Sequence, residues 1–232
     1  MGVSGAYEFS PGRAAAAAAA VELMEPEMVV GLGSGRAVWA VIEAIGARWP
    51  GPKPVSAVVA SEATYAIAHA AGIEVRPLDG RAELDLAVDG TDEIDSKLGL
   101  LKGGGGALLR EKIVVSAAKR FVVVAESEKL TDRLGARFTL PVEIVRFGWR
   151  DTRRRLTALL PEAERRSVGD EAYMSDEGHY ILDCAIPPDA DIEALDRELK
   201  LIPGVVEHGL FLGMAERALL GQPTGDVTVM QR

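Results

Sequence analysis

Hydrophobic residues in this chain cluster in short, nearly continuous runs separated by longer amphipathic stretches. Met28 to Leu32, Val55 to Ala60, Leu84 to Val88 and Phe121 to Ala125 each have the character of a strand buried on both faces. Between them stand segments that read as helices. Residues 13–24 are rich in alanine, the best helix former, and Pro26 ends them. Ala37 to Ile45, Glu62 to Ala71 and about Ala107 to Lys119 follow in turn, with a short strand from Ile73 to Pro77. Strands that alternate with helices predict an α/β fold: a mainly parallel, Rossmann-like sheet with helices on both faces.

The pattern changes near Pro141. Val142 to Val145 reads as a strand and about Arg153 to Leu160 as a helix. Asp176-Glu177-Gly178 marks a hairpin, and about Ile192 to Leu199 a further helix. Residues 140–206 are therefore expected to form a small α+β subdomain. Residues 1–139 and 207–232 form the Rossmann-like domain, with the run Leu210 to Leu212 returning to the first sheet.

Composition narrows the classes of function. With 232 residues and 48% hydrophobic content, the chain can bury a sizeable core. A net charge of −9 repels polyanions, and the one dense basic cluster, Arg153 to Arg155, reads as a solvated helix face, so no nucleic-acid partner is expected. Cys184 is the only cysteine and reads as a small buried apolar residue in a reducing compartment. The apolar stretch Ala14 to Val21 is followed at once by Glu22, Glu25 and Glu27, unlike a signal peptide. Position 6 is alanine, so the Met1-Gly2 start does not fit a myristoylation pattern. No run approaches the ~20 apolar residues of a membrane span. The expected location is the cytoplasm, with no membrane partner. His69, His179 and His208 show no metal-ligand spacing, and no metal site is expected.

Three motifs carry chemistry. Gly31-Leu-Gly33-Ser34-Gly35-Arg36 lies between a predicted strand and helix, where glycines permit close approach and the helix N-terminus favours phosphate. Its spacing is neither G-x-G-x-x-G nor a Walker loop. Asp89-Gly-Thr-Asp92-Glu-Ile-Asp95 is delivered by its strand to the C-terminal edge of the sheet, where ligands of open α/β sheets bind. Lys102-Gly103-Gly104-Gly-Gly106 precedes a helix in which Glu111 shares an arc with Ala107, Leu108, Val114, Val115 and Ala118. A carboxyl on that apolar side loses water, and its pKa rises toward neutrality, as a general base requires. The same position also suits a purely structural ion pair.

Taken in order, these motifs resemble type A ribose-5-phosphate isomerase. Asp89-Gly-Thr-Asp92-Glu is similar to that family's D-G-A-D-E element, and Lys102-Gly-Gly-Gly-Gly-Ala-Leu-Leu-Arg-Glu111-Lys to its K-G-G-G-x-A-L-x-R-E-K element. The likeness extends through Ala60-Ser61-Glu-Ala-Thr64, Glu126-Ser-Glu-Lys129, Leu140-Pro-Val-Glu143 and Ile202-Pro-Gly-Val-Val206. It implies interconversion of ribose 5-phosphate and ribulose 5-phosphate through a cis-enediolate, in the non-oxidative pentose phosphate pathway, without metal or organic cofactor. Glu111 would be the base, Asp89 and Asp92 would bind hydroxyls and assist ring opening, and Lys102 would stabilise the enediolate oxygen. Ser34, Ser61, Thr64 and Lys129 fall where family members bind the sugar phosphate, with Gly33, Gly35, Gly103 and Gly104 offering backbone beside it. Ser34, Arg36 and Ala37 replace the family's Thr, Ser and Thr, and Arg13 stands for a lysine. Arg13 or Arg36 is therefore expected to take over part of the phosphate grip. A homodimer or homotetramer is implied as well. Two other readings of the residues are a non-catalytic sugar-phosphate sensor and an acyl-CoA transferase with a glutamate nucleophile.

Overall fold

The computed structural model describes residues 10–81 and 83–232. The Met1-Gly2 start lies outside the described residues. The first half of the chain runs α1 (Pro11–Val21), β1 (Val29–Leu32), α2 (Arg36–Arg48), β2 (Ser56–Val59), α3 (Glu62–Ala70), β3 (Glu74–Val75) and β4 (Leu86–Asp89). It continues with β5 (Glu93–Ile94), β6 (Leu100–Leu101), α4 (Leu108–Ser116) and β7 (Phe121–Glu126). Then come β8 (Leu140–Ile144), α5 (Trp149–Leu156), β9 (Ala163–Arg165), β10 (Ser167–Val168), β11 (Glu171–Ala172), β12 (Tyr180–Cys184) and α6 (Ile192–Leu199). The chain closes with β13 (Val205–His208), β14 (Leu210–Phe211), β15 (Arg217–Gly221) and β16 (Val227–Gln231).

Seven strands form the main sheet in the order β16-β15-β7-β4-β1-β2-β3, all parallel except the edge pair β15–β16. Alternate residues of β7 divide between its two faces. Val122 and Val124 pack with Ala16, Ala20, Val41 and Ile42 of α1 and α2, whereas Val123 and Ala125 pack with Val115 of α4 and Phe211 of β14. Helices therefore cover both faces, aided on the second by a three-stranded sheet, β14-β6-β5. A separate antiparallel sheet, β13-β8-β12-β9, turns Leu140, Val142, Ile144, Leu182 and Cys184 toward Leu156, Leu195 and Leu199 of α5 and α6. Its opposite face carries Glu143 and Asp183 beside Pro141 and the buried Ile181.

Several boundaries differ from the sequence reading. Helix α1 starts two residues earlier, because the Ser10 hydroxyl accepts the Arg13 N–H at 3.2 Å and Pro11 takes the first helical position. Helix α5 begins at Trp149 rather than Arg153, since Gly148 (φ +66°) turns the chain into it. The turn at Asp176–Gly178 closes through Gly178 N–H to the Ser175 carbonyl at 2.8 Å. The strands beside it do not pair with each other: β11 pairs with β10, and β12 with β8 and β9.

Leu210–Phe211 does not return to the main sheet. It pairs with Leu100–Leu101, held there by Lys102 N–H to the Gly209 carbonyl and Gly209 N–H to the Pro141 carbonyl, both at 2.8 Å. The strands that do return are β15 and β16, which the sequence reading missed. Their signal was present: the apolar run of Ala218 to Leu220, a Pro-Thr-Gly-Asp turn, and an alternating Val227-Thr-Val-Met-Gln.

Candidate active site

Strands β1 and β4 are neighbours, and the sheet grows outward from them in opposite directions, β1 toward β2 and β3, β4 toward β7. Ligands bind at such a switch point, outside the carboxyl ends of the strands. Here Gly33 follows β1 and faces Asp89, the last residue of β4. A Cβ on Gly33 would lie 1.9 Å from Asp89 Cγ, so only glycine lets the loop pass. Asp89 is 1% exposed. Its Oδ1 accepts the N–H of Gly90 at 2.7 Å and of Ser34 at 3.3 Å.

Asp89 Oδ2 stands 3.0 Å from Lys102 Nζ, and Glu111 Oε2 stands 3.1 Å from the same nitrogen. Lys102 Nζ also donates to the Gly90 carbonyl at 2.6 Å. Two carboxyl groups thus converge on one ammonium, all three buried. Glu111 is on the first turn of α4 and is buried with Leu108, Val114 and Val115. Burial, and then the negative charge of Asp89, push its carboxyl up to about 8, against the pull of Lys102. Burial also raises Asp89. For Lys102, burial works against the charge, but the two carboxylates more than offset it, and the ammonium stays protonated well past neutrality. Of the two readings of Glu111, the ion pair is present, and its partner is the lysine at the head of the glycine run. Both side chains also line a cavity.

That cavity measures about 350 Å³. Lys102, Glu111 and half-buried Asp92 line it. Asp92 Oδ2 accepts the N–H of Gly104 at 2.8 Å. Gly103, Gly104, Ser34 and Gly35 line it as well, and Arg13, Arg36 and Lys129 line both this cavity and a neighbouring one that Lys102 and Glu111 do not reach. The N-terminus of α2 opens on Gly35 (φ +86°), without a side-chain cap, which leaves its first N–H groups available to an anion. Arg13 Nη2 is 3.0 Å from Glu126 Oε2, and Ser10 also bonds Glu126. Arg36 is exposed and has no ion-pair partner among the described residues.

Four expected site residues stand away from the cavity wall. Asp89 lies behind Lys102, sealed by the close approach of Gly33, and Gly33 itself serves that packing. Thr64 is fully buried. Its Oγ1 accepts from Ser61 Oγ at 3.0 Å and from Trp39 Nε1 at 3.4 Å. Ser61 caps α3 by accepting the Thr64 N–H at 3.1 Å, and its Oγ lies 2.9 Å from Ser34 Oγ. Ser61 and Thr64 therefore form a hydroxyl chain that ends on Ser34. The sequence reading missed Glu126, Thr91 and Trp39 as cavity residues. Two of them had a signal, the Glu126 that opens the matched Glu-Ser-Glu-Lys stretch and the Thr91 inside the Asp89-Gly-Thr-Asp92 element.

The remaining polar residues are accounted for by packing. His69 stacks on Tyr65, His179 Nδ1 lies 3.0 Å from Glu143 Oε1, and burial, then Lys112, push fully buried His208 down to about 3. Burial likewise raises Cys184 to about 12. Arg154 and Arg155 pair with Asp151 on the solvent side of α5, and Arg153 with Glu164. Among the described residues, no group of three or more His, Cys, Asp or Glu could hold a metal ion, and no helix is long and apolar enough to cross a membrane.

Residues 56–225 match the family model described as Ribose 5-phosphate isomerase A (phosphoriboisomerase A). Ribose-5-phosphate isomerase A of Thermomicrobium roseum is 46% identical over 213 residues, covering 90% of each chain. Among solved structures, ribose 5-phosphate isomerase from Plasmodium falciparum superposes with a TM-score of 0.89 at 32% identity, over 95% of this chain and 97% of that one. A D-ribose-5-phosphate isomerase in complex with phospho-erythronic acid also gives 0.89, at 30% identity, over 97% of this chain and 100% of that one.

Proposed function

The chain belongs to the ribose 5-phosphate isomerase A family and interconverts ribose 5-phosphate and ribulose 5-phosphate, and from that premise we propose how its own residues divide the work. The phosphate rests at the cationic end, on Arg36 and Lys129 with Arg13 beside them and the free N–H groups of α2 behind. This sets C1 and C2 of the opened sugar at the Glu111 end. Asp92 accepts from a ring hydroxyl and assists opening.

Ionised Glu111 takes the hydrogen from C2 as a proton. The C2–H electron pair becomes the C1–C2 double bond, and negative charge moves to O1. Lys102 is already charged and fixed between two carboxyl groups, so it stabilises that oxygen with little reorganisation. The hydrogen of O2 passes to O1, Glu111 returns its proton to C1, and O2 becomes the carbonyl of the ketose. Asp89 acts through Lys102, holding the ammonium in place, rather than on a substrate hydroxyl. Ser61 and Thr64 act through Ser34 in the same indirect way.

One observation carries this reading: a single buried ammonium lies 3.0 and 3.1 Å from two carboxyl groups, and it lines, with Glu111, a cavity that Arg13, Arg36 and Lys129 also line. The complex of a relative with phospho-erythronic acid supports a ligand that carries a phosphate and an acid group. The sensor and acyl-transfer readings gain nothing from relatives that are named isomerases along 90% or more of their length. We further read the unit of residues 140–206 as a subdomain that borders the site, and the working molecule as a cytoplasmic homodimer or homotetramer.

The test is incubation of EDTA-treated protein with ribose 5-phosphate in D₂O. Ribulose 5-phosphate should accumulate with deuterium at C1, because the base exchanges part of its proton before returning it. Absence of the ketose would overturn the reading.

A further inference from the structure

A run of glycines has no side chains with which to hold itself, and Gly105 has no atom near the place of a Cβ. Helix α4, which follows the run, has no side-chain cap at its N-terminus. The run is nevertheless held, by two side chains from the segment that follows β9 and borders β12. Arg166 Nη1 donates to the carbonyl of Gly103 at 2.9 Å and to that of Gly104 at 3.2 Å. Tyr173 Oη donates to the carbonyl of Gly105 at 3.3 Å, and a Cβ on Gly106 (φ +85°) would meet that oxygen at 2.0 Å.

Arg166 is itself locked. Its Nε and Nη2 meet the two oxygens of Asp183 on β12 at 2.9 and 2.5 Å, a bidentate pair that only a guanidinium makes. Its backbone bonds Ile181 at 2.9 Å and Tyr173 at 3.0 Å.

The bond to Gly103 reaches one peptide group with two ends. The carbonyl of Gly103 accepts from Arg166, and the N–H of the same peptide, that of Gly104, donates to Asp92 Oδ2 at 2.8 Å. A cation on the oxygen strengthens the donor at the nitrogen and fixes its direction. We propose that Arg166, oriented by Asp183, is a positioning residue for Asp92, acting through the Gly103–Gly104 peptide. The inference rests on the reading that Asp92 handles a substrate hydroxyl. It makes the second sheet part of the catalytic apparatus rather than a neighbour of it.

The test is a double-mutant cycle on the full-length enzyme with ribose 5-phosphate, using R166M, D92N and the double variant. R166M should lower kcat between about tenfold and a hundredfold, the cost of a carboxylate displaced by an ångström or so, while KM stays within about twofold. In the double variant, kcat should match that of D92N alone within about twofold, because the arginine then has nothing left to position. Multiplying effects, or an R166M enzyme at the parental rate, would overturn the proposal. If D92N alone turns over normally, the role of Asp92 fails first and the inference with it, an outcome distinct from a failed cycle. If R166M does not fold, D183N and R166K take its place in the same cycle. Both unlock or replace the fork while keeping a cation, and the same non-additivity with D92N is expected. Additive losses would refute the coupling.

Discussion

The two ends of the cavity are built on opposite physical terms. At the inner end, Asp89, Lys102 and Glu111 are each at most 5% exposed, and their charges are set by one another. At the outer end, Arg36 is exposed, and Arg13 shares Glu126 with Ser10. Burial makes the inner interactions strong and unforgiving, since an unpaired charge there has no water to turn to. Solvent and salt weaken the outer ones and make them replaceable. On the proposed reading, a phosphate at the outer end can be gripped by Arg36 in place of hydroxyls, whereas the buried inner end admits no such exchange. On that reading, one ligand is held loosely by its charge and worked on rigidly at its carbon.

The sharpest way to break the comparison is Glu111→Gln, which keeps shape and burial and removes the base. kcat should fall by roughly 10³-fold or more, within the range for lost general-base catalysis, with KM little changed. A stopped-assay measurement of ribulose 5-phosphate checks it, and near-normal turnover would end the assignment.

Lys102→Met comes next. kcat should drop about 10²–10³-fold for a lost oxyanion partner. Asp89 and Glu111 would be left facing each other in a dry site, so urea unfolding should also show a loss of about 3–5 kcal/mol. A variant as stable as the parent would contradict the tightness claimed for the inner end.

The third prediction uses pH. Glu111 must be ionised to act, so kcat/KM should climb about tenfold per unit below its pKa and level off near pH 8. Stability runs the other way. A carboxyl whose pKa is raised on folding holds its proton better in the folded state, so its contribution is full below the ordinary glutamate range and is lost as pH rises through about 8. Thermal denaturation from pH 5 to 9 should show this decline, and Glu111→Gln should flatten it. A wild-type profile already flat above pH 5 would refute both halves.

The smallest effect belongs to the outer end. Arg36→Ala should raise KM for ribose 5-phosphate about tenfold, the worth of one charge-assisted contact, with kcat within about twofold. The increase should shrink at high salt. An unchanged KM would show that Arg36 does not compensate for the lost hydroxyls.

The alternation of apolar runs with helical segments made the main sheet legible as far as β7. It failed at the C-terminus, where β15 and β16 lie far in sequence from the strands they extend. The short run Leu210–Phe211 looked like the natural returning strand, and nothing local distinguishes an edge on the main sheet from an edge on β6. The burial of Glu111 was legible because helical periodicity places it among Leu108, Val114 and Val115. The sealing of Asp89 was not, because it depends on Gly33, a residue more than fifty positions away and brought opposite by the pairing of β1 with β4. Arg166 lay outside every motif, in the mixed-charge stretch Glu162 to Arg166, where nothing local marks one arginine over its neighbour.

By itself, then, the order of residues determined which chemical groups this protein owns and which local elements carry them: a lysine before a glycine run, a glutamate on the apolar side of the next helix, aspartates at the end of a strand. These follow from backbone preference and from periods of two and 3.6 residues, which act over a few neighbours. Tertiary structure alone decided that Lys102 stands between Asp89 and Glu111, that Thr64 turns inward, and that a distant arginine grips the glycine loop. Those outcomes depend on distance and dielectric between segments far apart in the chain, and only folding brings such segments together.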